Sequence, residues 1–162
     1  MADERTLRLA SLQLTDALLD QFLVYERTLL TALKGGDKTE WAGRYAFAHA
    51  EALKASKLDL LAQQKLRVQV QEFCGKVSAA NVVKTRLATF ANKPGIDADK
   101  VTSARQELTR LEAMHDFTKR YGTEALTLLK ARSAELLALH ETLVRAEGTG
   151  HLHSTPTTAL PS

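Results

Sequence analysis

The sequence predicts an all-α fold, an antiparallel helical bundle of four to five helices, on three observations. Leucine, valine and phenylalanine recur at helical rather than alternating intervals through stretches far longer than a strand. The breaks between those stretches coincide with turn signals, at Gly35-Gly36, Asn92-Lys93-Pro94-Gly95 and Tyr121-Gly122-Thr123. With 44% hydrophobic and 25% charged residues, and only 3 prolines among 162 residues, the composition is that of a chain that folds. Its length suits one domain, assigned to residues 1–146, followed by a tail over 147–162 that carries two prolines and offers little to pack.

The first helix is expected over Leu7–Leu33, where Leu12, Leu18, Leu19, Phe22, Leu29 and Leu30 form an apolar stripe opposite Asp16, Asp20, Glu26 and Arg27. Asp37 and Glu40 read as an N-cap followed three positions later by an acid, so the second helix should start there and reach Ser56. Trp41, Tyr45, Phe47, Ala48, Ala50 and Leu53 are its expected packing surface, with the alanines allowing close backbone approach. A third, long helix follows Asp59 through Leu66, Val70, Phe73, Val83 and Phe90. Gly75 and the valines lower its helix propensity, which leaves a bend or break near 75–81 open, with two shorter helices as the alternative to one long one. Asp97 or Asp99 caps the fourth helix, which runs to about Lys119 on Val101, Ala104, Leu108, Leu111, Met114 and Phe117. Thr123 is expected to cap the fifth, over residues 124–146. Phe22, Leu29, Trp41, Tyr45, Leu66, Phe73, Leu108, Leu111, Leu129 and Leu136 are the expected core.

The chain carries 22 basic and 19 acidic residues, a net charge of +3, too small to identify an anionic partner. All of the excess lies in residues 57–97, which hold 7 basic and 3 acidic side chains. Lys65, Arg67, Lys76, Lys84 and Arg86 are therefore the candidate anionic-ligand residues, and phosphates meeting them would release counterions. They form no clean stripe: Lys65 and Lys76 project within about 20° of each other, while Arg67 and Arg86 point elsewhere. Nucleic acid is accordingly a less favoured partner.

The nearest approach to a metal motif is Glu112-Ala-Met-His115, a carboxylate and an imidazole three positions apart, as in carboxylate-bridged metal bundles. Glu112 and His115 are the candidate metal ligands, but one copy falls short of such a centre, and a structural or surface role is the simpler reading. No cofactor is expected. His49 and His140 read as helix-interface or surface residues, and His151 and His153 fall in the tail. Cys74 is the only cysteine, so an intrachain disulfide is excluded; a small buried apolar role is expected of it.

No phosphate loop, nucleophile elbow or zinc-protease motif occurs, which favours a non-enzyme. The first residues lack a secretory pattern and no 18-residue apolar run occurs, so a cytoplasmic protein without a transmembrane segment is expected. The leucine-rich faces point to a noncatalytic protein-interaction or regulatory module whose partner is another protein or a second copy. A metal-binding bundle with oxidoreductase activity and an anionic-ligand or nucleic-acid-binding helical protein are the alternatives.

Overall fold

The computed structural model describes residues 12–34 and 40–153, with side chains through Glu147. Among the described residues the chain is all-α, with seven helices and no strand. They are α1 (Asp16–Lys34), α2 (Trp41–Ser56), α3 (Leu60–Ala91), α4 (Ala98–Ala113), α5 (His115–Tyr121), α6 (Thr123–Ala131) and α7 (Ser133–His153).

Seven replaces the expected four to five for a simple reason. The fourth expected helix is divided at Met114 and the fifth at Arg132, each by a single residue. Met114 adopts the left-handed conformation, with φ 48°. For a residue with a Cβ that costs roughly 1–2 kcal/mol, so the surrounding packing must hold it. Its side chain is indeed buried at 4% exposure. The third helix, in contrast, runs unbroken through Gly75, which lies exposed with nothing near its Cα hydrogens. The alternative of two shorter helices does not form. Within the described part of the first expected helix, residues 12–15 are not helical and α1 begins at Asp16, while residues 7–11 lie outside the described residues. Gly35, Gly36 and the predicted cap Asp37 lie outside the described residues. The last helix extends to His153, past the expected end at 146; residues 154–162 of the expected tail lie outside the described residues.

Two of the helix starts follow from side-chain caps. Asp97 Oδ1 accepts from the backbone N–H of Asp99 at 3.0 Å, as expected, and Asp59 Oδ1 does the same for Ala62 at 2.9 Å. Thr123 does not cap α6: Gly122, with φ 93° and ψ 162°, occupies that position.

The chain divides into two compact units, Asp16–Gln63 with Ala138–Ser162 and Met1–Thr15 with Gln64–Leu137. In the first, α1 and α2 form an antiparallel hairpin. Gln21 Nε2 near the start of α1 donates to the carbonyl of Ser56 at the end of α2, and Arg44 near the start of α2 donates to the carbonyl of Leu33 at the end of α1. Leu19, Phe22, Leu23, Tyr25 and Leu29 are buried on α1, and Ala48 and Ala52 are fully buried on α2, where their small side chains permit the close approach expected of them.

In the second unit, α4 and α5 run antiparallel to α3. Lys84 meets Glu112, Arg86 meets Glu107, Glu72 meets Arg120 and Phe73 meets Phe117, so positions rise along α3 as their partners fall. Leu66, Val70, Phe73, Cys74, Val83, Phe117, Leu129 and Leu136 are buried in this unit. Of the expected core, Trp41, Tyr45, Leu108 and Leu111 are only half-buried, while the other six positions are buried. Cys74 is fully buried, in keeping with an apolar role.

Candidate interaction face and groove

Helix α2 has two apolar faces and uses one. Its inner face carries Ala48, Ala52 and Ser56, all buried, together with His49, whose Nδ1 lies 2.6 Å from the Tyr25 hydroxyl. Its outer face carries Gly43, Ala46, Phe47 and Ala50, all exposed, with Phe47 67% exposed. At 100° per residue these four positions fall within about 100° of one another, a width comparable to the buried stripe of a surface helix. Of the three charged residues of the helix, Arg44, Glu51 and Lys54, the exposed Lys54 falls within the same sector, about 20° from Phe47.

The expectation that Phe47 and Ala50 pack inward is thus overturned. Residues 48, 52 and 56 follow the helical repeat and take the inner side, which turns Phe47 outward. The missed signal was the excess of apolar positions: α2 has more than one face can bury.

A second feature lies wholly within the Gln64–Leu137 unit. A groove of about 440 Å³ is floored by Val77, Ala80, Leu111 and Met114. Its rim carries Asn81, Lys84, Glu112 and Lys130. Lys84 Nζ and Glu112 Oε1 are 2.9 Å apart, and each side chain is about half exposed. Lys130 forms no ion pair with a described residue.

The groove gathers one residue from each sequence-predicted set. Glu112 was a candidate metal ligand and Lys84 a candidate anion contact; each is the other's partner. His115 is exposed and starts α5, whereas Glu112 belongs to α4, with left-handed Met114 between them. The two therefore do not share one continuous helix, as the i,i+3 reading requires. Among the described residues no group of three or more histidine, cysteine, aspartate or glutamate side chains is placed to hold a metal ion.

Lys65, Arg67, Lys76, Lys84 and Arg86 all lie on α3, but over about 31 Å of helix at 1.5 Å per residue. Lys84 and Arg86 are each paired, Arg86 with Glu107 at 3.9 Å. Five cations so distributed do not form one patch. The chain matches no protein-family model, no curated protein and no solved structure. Its own geometry is therefore what a functional reading has to stand on.

A third polar site, Glu72, Arg120 and Tyr121, is a packing device. Arg120 Nη1 bonds Glu72 Oε2 at 2.9 Å and its guanidinium carbon lies 5.9 Å from the centre of the Tyr121 ring. The hydrogen bond with Tyr121, then the charge of Glu72, raise the affinity of Arg120 for its proton. Burial, then the same Glu72 charge, push the Tyr121 phenol above its ordinary 10.0. Such a group stays neutral at ordinary pH and offers neither a base nor a nucleophile. No described helix is long and apolar enough to cross a membrane.

Proposed function

We propose that this chain is a noncatalytic interaction module that recognises another helix through the outward face of α2. The observation that carries the reading is Phe47, 67% exposed and flanked by Gly43, Ala46 and Ala50 on the same exposed face. An exposed aromatic set among small residues suits helix docking: the small positions let a second backbone approach, and the ring supplies an anchor. Covering Phe47 would contribute roughly 1–2 kcal/mol from its apolar area. A cytoplasmic setting belongs to the same proposal and rests on the single cysteine.

A photo-crosslinking amino acid placed at position 47 tests the reading, with the exposed position 42, about 140° round the same helix, as the control. Crosslinking to a helical partner from 47, abolished by Phe47→Glu in the binding assay, is the expected result. Circular dichroism and the unfolding midpoint of that variant should stay in place. A crosslink to a second copy makes the module self-associating, and one to a different chain makes it a heterologous binder. A monomer that crosslinks to nothing from position 47 overturns the reading.

A further inference from the structure

We propose that the groove between α3, the end of α4 and α6 binds a small monocarboxylate with an apolar body, of the medium-chain acyl class. Its carboxylate lies at Lys130 and its chain over Ala80, Leu111 and Met114. The site is separate from the outward face of α2 and does not depend on it.

Charge selects the head group. Lys84 and Glu112 neutralise each other at 2.9 Å, which leaves Lys130 as the unmatched charge among the lining residues. One negative charge completes the set. A dianion such as a phosphate monoester would leave the second of its charges without a cation among the lining residues. The side-chain amide of Asn81 forms no hydrogen bond with a described residue and supplies a donor for a second carboxylate oxygen.

The floor selects the body. Val77, Ala80, Leu111 and Met114 present no hydrogen-bonding side-chain group to a ligand other than the weakly accepting thioether. A methionine, unbranched and with three rotatable bonds, adapts to chains of different length. A volume of about 440 Å³ falls within the roughly 300–1,000 Å³ of small-molecule sites. The left-handed residue at the junction of α4 and α5, Met114, is also one of the residues that line the groove.

The test is an amide-resolved NMR titration of the full chain with decanoate kept below its micelle-forming concentration. Decanol, butyrate and decyl phosphate are compared with it. Saturable one-to-one binding of decanoate is expected, with shifts concentrated at residues 77–84, 111–114 and 130. Removing the carboxylate, as in decanol, should weaken binding about tenfold, and Lys130→Gln about five- to tenfold, the scale of one charge-assisted hydrogen bond. Lys130→Arg should keep the affinity to within about twofold, because the charge is retained. Butyrate, which is too short to cover the floor, and decyl phosphate should both bind more weakly than decanoate. Shifts that spread over the apolar surface without saturating overturn the proposal. So does a Lys130→Gln variant that binds like the parent, or binding of an acidic peptide in this groove where decanoate fails.

Discussion

The hydroxyl of Tyr25 on α1 lies 2.6 Å from Nδ1 of His49 on α2, in the middle of a run of aromatic rings. Phe22, Tyr25, His49, Tyr45 and Trp41 follow one another with centroids 5.7–6.3 Å apart. The phenol donates to Nδ1 when the imidazole proton is on Nε2 and accepts from it when the proton is on Nδ1, and in either case the contact ties the two helices together.

Tyr25→Phe keeps the ring and removes that bond. Tyr25 is 2% exposed, so the lost partner is not replaced by bulk water at its own position. A loss of about 1–2 kcal/mol is expected, with a fall in unfolding midpoint of roughly 2–4 °C for each kcal/mol in a chain of this size. Nitrogen NMR of His49 should show a change at Nδ1 when its partner is removed. An unchanged midpoint and an unchanged Nδ1 signal would show that the contact holds nothing in place.

Two glycines in equally open surroundings should respond in opposite senses to alanine. Neither Gly75 nor Gly122 has an atom within 4 Å of an added Cβ. Gly75 lies inside α3, where alanine has the better helix propensity, so Gly75→Ala should stabilise by roughly 0.5–1 kcal/mol. Gly122, at φ 93° and ψ 162°, sits where essentially only glycine is found, so Gly122→Ala should destabilise by about 1–3 kcal/mol. Denaturant unfolding of both variants measures the difference, and equal signs would refute it.

Most of the fold was legible in the sequence because helix stripes and turn residues are local signals. Asp97 and Gly122 marked real helix boundaries, and Phe22, Phe73 and Leu129 marked the core. The break at Met114 was not legible: Leu111-Glu-Ala-Met-His115 contains neither glycine nor proline, and its left-handed residue is held by packing that no local pattern records. That one conformation also removed the continuous helix assumed for Glu112 and His115. The pairing of Lys84 with Glu112 spans 28 positions of sequence, so a reading of α3 alone could only count Lys84 as an available cation. Phe47 was misread because apolar character says that a side chain favours burial, without saying which face has a neighbour.

Stability should fall in alkali through Tyr121. Its pKa in the folded chain is raised above 10.0, first by burial and then by Glu72. The unfolded chain therefore releases the phenolic proton first. The contribution is complete below about pH 10 and is lost as the pH rises through the folded-state value. Denaturant curves between pH 8.5 and 11 should show the parent losing stability relative to Tyr121→Phe only at the alkaline end. Glu72→Gln should bring the phenol's ultraviolet titration back toward 10.0. A constant difference between parent and Tyr121→Phe across the range would count against this account.

Cys74 should report unfolding. It is fully buried on α3, so a thiol reagent reaches it only when the surrounding packing opens. Labelling should be slow in the native chain and immediate in denaturant. Phe73→Ala, which truncates a neighbouring ring that is 1% exposed, should speed native-state labelling through a loss of about 3–5 kcal/mol. Rapid labelling of the parent under native conditions would contradict the burial.

Successive helices from α4 to α7 are separated by single residues, Met114, Gly122 and Arg132, at each of which the rotational phase of the apolar stripe is reset. A joint of one residue has no slack. An extra residue in the 92–97 connection can be absorbed as loop, whereas one inserted beside a joint turns the following helix by about 100° and carries its apolar stripe away from the core. The stretch around these joints should therefore accept many changes of side chain and very few changes of length.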